Sequence, residues 1–179
     1  MGKLYLTLIV LAICTIAGKA QGNFSIGASL GGGSISGTSL PQASFASSIF
    51  LETNSFIYPP VNIRLSFTYS GDFNILLPDS RSNYYPFIKA FSIRGVSSQI
   101  YSKNYFVEET IGFITIDDRT FAGVNEWNYG TVFSLGTGFD LRTPELKGFK
   151  LCAGLEYAIT FGNTFAKYFS LHLQSQYFF

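Results

Sequence analysis

From residue 61 to 70 the chain alternates without a break. Val61, Ile63, Leu65, Phe67 and Tyr69 take one side, and Asn62, Arg64, Ser66, Thr68 and Ser70 take the other. A period of two belongs to a β-strand with unlike faces. The same period runs from 149 to 161, with Phe149, Leu151, Ala153, Leu155, Tyr157, Ile159 and Phe161 opposite Lys150, Cys152, Gly154, Glu156, Ala158 and Thr160. It recurs over 23–32, 129–141 and 168–179. Three more segments have strand composition but less regular faces. Segment 43–58 gives no clear face, 87–101 turns polar at 95–99, and 105–116 is apolar on both sides from Ile111 onward. Glu108 and Glu109 are adjacent and must point to opposite sides of a sheet. The expectation is that both sit near the aqueous start of their strand. The pattern predicts about eight strands.

The connections alternate in length. Pro59-Pro60, 102–104 and 142–148 read as turns, proline being unable to donate to a ladder. Between them fall the polar stretches 32–42, 71–86 and 117–128, and a shorter one at 162–167. Short turns at one end and longer loops at the other predict an all-β fold, a closed antiparallel up-and-down transmembrane β-barrel. The charge content decides between lipid and water. A soluble surface carries about 25–35% charged residues, and this chain has 13%. Its apolar faces are continuous bands of large side chains, and the opposite faces are mostly Gly, Ser, Thr, Asn and Gln. That pattern suits an apolar exterior and a small-residue, polar interior. Closure also removes the unpaired edges that lipid does not tolerate.

The N-terminus reads as an export signal. Lys3 precedes an apolar run over 4–16, and Gly18 and Ala20 are small enough for a signal peptidase. Cleavage is expected before Gln21, giving a signal peptide at 1–20 and a barrel domain at 21–179. A membrane anchor would need about 20 apolar residues. Ile13 before Cys14 is too large for lipidation. Without Lys3 and Lys19, the twelve basic residues become ten, against eleven acidic ones. There is no basic excess to suggest nucleic acid. Cys152 then stands alone, so no internal disulfide is expected.

The chain ends Gln176-Tyr177-Phe178-Phe179. With the export signal and the amphipathic strands, it resembles the small outer-membrane barrels of the OmpA/OmpX/OmpW type, and especially the generic outer membrane protein β-barrel domain proteins of Bacteroidetes and Chlorobi. The resemblance implies residence in the outer membrane of a Gram-negative bacterium, with outer-membrane lipid as surroundings. It also implies that Phe179 is part of the signal read by the barrel assembly machinery. That group holds adhesins, structural anchors, small pores and a few enzymes.

Five ionisable residues fall on the small-polar faces: Arg64, Asp140, Lys150, Glu156 and His172. Inside a barrel they form either a gate for solutes or a plug of mutually neutralising charges. Eight strands leave room for little beyond side chains, which favours the plug. His172 is the only histidine, so a Ser-His-Asp triad or a zinc site would rest on it alone. Ser170, His172 and Gln174 share one face. That face reads as luminal, away from any membrane lipid of the kind that lipid A deacylases of this group attack. Asp117, Asp118, Arg119 and Trp127 form the most distinctive connection, suited to an extracellular ligand or partner. Trp127 and Tyr129, with Tyr58, Tyr69, Tyr84, Tyr85 and Tyr168 near strand ends, equally suit an aromatic girdle. No phosphate-cradling glycine loop, HExxH motif or mature cysteine pair is present, and no catalytic residue, cofactor or metal is assigned. The expectation is a non-enzymatic integral barrel with a structural or surface-interaction role and a plugged polar lumen. A narrow pore, a lipid-modifying enzyme and a soluble lipocalin-like carrier are the alternatives.

Overall fold

The alternating segments become eight antiparallel strands: β1 (Ser25–Ser36), β2 (Gln42–Asn54), β3 (Val61–Asp72), β4 (Phe87–Ile100), β5 (Tyr105–Arg119), β6 (Glu126–Asp140), β7 (Gly148–Thr160) and β8 (Lys167–Phe178). Each pairs with its sequence neighbours, and β8 pairs with β1 to close the barrel. The closing ladder runs from Ser25 opposite Phe178 to Ser36 opposite Lys167. The structure is a computed structural model that describes residues 24–55, 61–76, 84–102 and 104–179. The expected signal peptide, the Pro59-Pro60 turn, Tyr58 and part of the 71–86 connection lie outside the described residues. No helix among the described residues is long and apolar enough to cross a membrane, which says nothing about crossing by strands.

The less regular segments are full strands. In β2, Ser44, Ala46, Phe50 and Glu52 point inward and are buried, and Ile49 points outward and is exposed. The sequence did not reveal this face because small and aromatic residues stand on both sides of the strand. The expected loops are shorter than the sequence suggests. The ladder between β5 and β6 continues through Asp117 opposite Trp127 and Asp118 opposite Glu126. Asp117, Asp118, Arg119 and Trp127 therefore belong to strands. Of the four connections at the end opposite the first and last described residues (the loop end), only the one between β3 and β4 is long. It opens with a short 3-10 turn, Phe73–Ile75, whose second amide donates to the capping Asp72: Asn74 N to Asp72 Oδ1, 2.8 Å.

The sense of the alternation is inverted relative to a protein in water. Leu30, Ile49, Leu65, Ile111, Phe113 and Leu173 stand exposed on the outer wall, while Arg64 and Arg94 are buried inside. Leu65 is 53% exposed, and Arg64 beside it is 3% exposed. An outer wall of that kind is stable against acyl chains, and closure leaves every ladder satisfied within the chain. Aromatic rings mark the rims. At the end where the described residues begin and finish (the terminal end), Phe24, Phe179, Tyr177 and Phe149 form a chain of contacts with centroids 4.9 to 5.9 Å apart. Near the loop end, Tyr69 stacks on Phe87 and Trp127 on Phe91.

This sidedness gives a direct test. In lipid vesicles, Leu65→Arg should destabilise the folded barrel by about 2–4 kcal/mol, the cost of a cation near the bilayer midplane. Denaturant unfolding of the reconstituted protein measures it. A near-neutral effect would mean that Leu65 faces water.

Candidate functional site

Small residues line one part of the inner wall, and large ones fill the space they leave. A Cβ on Gly27 would lie 2.2 Å from Cζ of Phe50, so the ring occupies the place of that side chain. The filling is organised along the barrel axis. Near the loop end Ile35, Ile88, Ala90, Ile114, Ile116, Val132, Ala158, Ala166 and Tyr168 form one buried cluster. Below it lie two groups of buried charges. At the terminal end Phe106 and Phe178 close the stack, each under 3% exposed. The interior near the loop end is therefore mixed, the apolar cluster lying beside the buried polar side chains of Thr68, Ser70 and Thr160.

The lower charge group centres on Arg64 of β3. Its Nε and Nη2 donate to Glu52 Oε2 of β2 at 2.9 and 2.6 Å, and Nη2 also donates to Glu108 Oε1 of β5 at 2.7 Å. Asn62 Nδ2 donates to the other oxygen of Glu52 at 2.8 Å. Lys150 Nζ of β7 donates to Glu108 Oε2 at 3.4 Å and to Ser98 Oγ of β4 at 3.2 Å. Gln174 of β8 accepts from Arg64 and donates to Glu108, both at 3.4 Å. Six strands are thus joined through the lumen rather than through the wall. The cations also lie against rings: Arg64 Cζ is 4.3 Å from the Phe50 centroid, and Lys150 Nζ is 3.9 Å from that of Phe106. Such contacts favour a desolvated cation.

The upper group joins β4 to β7. Arg94 grips Glu156 with both terminal nitrogens, Nη2 to Oε1 at 3.0 Å and Nη1 to Oε2. A planar guanidinium meets a carboxylate in this two-point way better than an ammonium does. Arg94 Nε donates to Ser92 Oγ at 2.7 Å, and Ser92 shares a 2.6 Å hydroxyl contact with Ser66 of β3. The Tyr168 hydroxyl donates to Glu156 Oε1. Across both groups, Arg64, Arg94 and Lys150 face Glu52, Glu108 and Glu156, so the charges cancel.

The sequence-derived residues divide accordingly. Arg64 and Lys150 share the lower group, and Glu156 sits in the upper one. Asp140 faces inward beside Lys150 in the ladder, but its carboxylate engages Arg142 of the following turn (Oδ2 to Nη2 2.6 Å, Oδ1 to Nε 2.8 Å) at the terminal mouth. His172 faces inward between Gly31 and Gly154 in the pairing register, and is only partly buried. Its place inside the wall keeps it, with Ser170, from the lipid. Sequence reading missed Glu52, Arg94 and Glu108. Glu52 was hidden by the ambiguous face of β2, and Arg94 by the polar stretch that follows it. Glu108, expected with Glu109 near the aqueous start of its strand, is turned inward by β5, which leaves Glu109 exposed outside. Its match to Arg64 in charge, on a parity that puts both inside, was the available signal.

At the loop end, Asp118 is fully buried and faces inward. Its carboxylate accepts from the backbone N and Oγ1 of Thr120 (2.9 and 2.7 Å) and of Thr38 (3.2 and 3.3 Å). It thereby fastens the β1–β2 connection across the mouth and is not displayed to solvent. Asp117 and Arg119 point to the outer wall, with Arg119 Nε 3.2 Å from Asp117 Oδ1. Trp127 is exposed on the same wall. Tyr168, expected in the girdle, points inward instead, as its parity in β8 requires. Phe179 closes the terminal rim: its N–H donates to Phe24 O at 3.1 Å. No group of metal-ligating side chains occurs among the described residues.

No protein family matches this sequence, and no curated protein does. Solved structures do. Neisserial surface protein A superposes with a TM-score of 0.61 at 10% identity, over 86% of this chain and 96% of that one. Ail, the attachment invasion locus protein of Yersinia pestis, gives 0.54 at 13% identity, over 88% and 99%. Ail is also known in complex with the heparin analogue sucrose octasulfate. At these identities the likeness is one of fold, and the fold is that of the small eight-stranded outer-membrane barrels.

The lower charge group should respond unequally to single and compound changes. Arg64→Met leaves the buried carboxylate of Glu52 without its cation and should cost about 3–5 kcal/mol. The double change R64M/E52Q, which keeps the Lys150–Glu108 pair, should recover much of that loss. Unfolding midpoints of the refolded variants measure both, and equal losses would mean that the charges are not coupled.

Proposed function

We propose that the protein is an integral outer-membrane barrel with a structural or surface-interaction role, and that its lumen does not conduct solutes. The observation that carries this reading is the cancelling set of buried ion pairs spanning the lumen, stacked under an apolar cluster. An ion crossing the barrel would have to displace Arg94 from Glu156 and then pass Ile35, Ile88, Ile116 and Val132. The outer-membrane location rests on the apolar outer wall, the aromatic rims and the shared fold. The position of Phe179 at the closing rim is compatible with recognition by the barrel assembly machinery.

An enzymatic role gains no support from the interior. His172 and Ser170 face the lumen, so a membrane lipid outside the wall does not reach them. The loop end offers a modest surface, since only the β3–β4 connection is long. A surface role would therefore depend on that connection and on the upper rim.

In planar bilayers the purified barrel should give no steady conductance, and R94G/E156G should raise leak events by removing the upper ion pair. A stable unitary conductance from the unmodified protein would favour the narrow pore instead. Lipid A mass spectra from cells with and without the protein should be identical; a lost acyl chain would favour the enzyme.

A further inference from the structure

Two cations stand on the outer wall near the loop end, where a lipid-facing strand ordinarily carries apolar or aromatic residues. Lys89 of β4 and Arg119 of β5 both point outward. Lys89 is paired with Asp117, and Phe87 with Arg119, so the two cations are diagonal neighbours on one face. Diagonal side chains on adjacent strands lie within reach of a common ligand. Lys89 Nζ rests 5.4 Å from the Phe87 centroid. Arg119 gives its Nε to Asp117, and its side chain stays 35% exposed. Asp117 is buried although it faces outward, so it neutralises one of the two cations and leaves an excess of one positive charge.

Directly below, on the same wall, runs a groove of about 680 Å³. Phe67, Phe91, Ile93, Phe113 and Tyr129 line it, all outward-facing residues of neighbouring strands. Phe91 follows Lys89 by one outward position on β4, and Thr115 follows Asp117 on β5. Trp127 stacks on Phe91 at 6.3 Å, and Tyr129 forms the side of the groove toward β6. A cation pair at the rim above an apolar trough matches a lipid with acyl chains below and an anionic group above. A guanidinium beside an ammonium suits a phosphate, and a doubly charged phosphomonoester more than a singly charged diester. In an outer membrane, the lipid that carries phosphomonoesters on the loop-end leaflet is of the lipid A type.

We propose that Lys89, Arg119 and the groove beneath them form a binding site for a phosphorylated lipid A-type glycolipid, its phosphate between the two cations and an acyl chain along Phe91, Ile93 and Phe113. This assignment rests on the membrane reading given above. Asp117 holds Arg119 in place, and the terminal nitrogens of the arginine face the phosphate.

The test uses the full barrel in phosphatidylcholine vesicles doped with bisphosphorylated lipid A, dephosphorylated lipid A or phosphatidylglycerol, followed by mild detergent release and native mass spectrometry. The unmodified barrel should retain bisphosphorylated lipid A about tenfold better than either of the other lipids. K89A/R119A should lose that preference, and K167A, which removes an exposed cation elsewhere on the loop end, should keep it. Equal retention of the dephosphorylated lipid or of phosphatidylglycerol would overturn the site, as would a preference unchanged in K89A/R119A or lost in K167A. Heat-dependent gel migration reports folding of each variant. A barrel that folds but fails to enter vesicles would overturn the membrane reading itself, a result distinct from insertion without lipid preference.

Discussion

Backbone hydrogen bonding in a medium without water governs this molecule. Lipid offers no donors or acceptors, so each amide and carbonyl of the spanning segments must find its partner within the chain. Pairing β8 with β1 meets that demand by leaving no edge. The rest follows from closure. The strands curve around a narrow lumen, one face of each strand is committed to acyl chains, and the other face must fill a space only a few side chains wide.

That narrowness requires the charges inside the barrel to be paired with one another. A polar lumen side chain without partners would carry a desolvation cost, and here three cations and three carboxylates remove it jointly. The aromatic rings behind Arg64 and Lys150 complete their surroundings. Arg64 accepts no substitute easily, because it serves two carboxylates on different strands. The lower group thus braces β3 against β5 and β8, and β5 against β7, strands that share no ladder, while the apolar cluster above it fills the loop-end cross-section.

The architecture was legible because lipid enforces the period of two so strictly. The runs at 61–70 and 149–161 gave strand, face and sidedness together, and the parity of Arg64, Lys150 and Glu156 placed them inside. Legibility failed where the constraint relaxes. Beyond the bilayer a strand can continue in water without alternating, so Asp117 and Asp118 looked like loop residues although the ladder runs past them. In β2, inward Phe50 and outward Ile49 are both large, because Phe50 fills the hollow at Gly27, and period alone does not distinguish the faces. Glu108 is hard to place because a carboxylate is excluded from lipid equally well by an aqueous strand end and by a lumen cation that lacks a counter-charge.

The glycines at the closing seam have a consequence for how the cylinder is completed. A Cβ at Gly31 would fall 2.1 Å from Leu171 O, and one at Gly33 1.8 Å from Phe169 O. The first strand therefore meets the last as nearly bare main chain along this stretch of its inner surface. Joining segments some 150 positions apart, as in the contact of Gln176 with Ser25, is the most entropically demanding step and the natural last one. Because only β8 contributes inward side chains there, His172 and Ser170, the two borders can close without interleaving side chains from both strands.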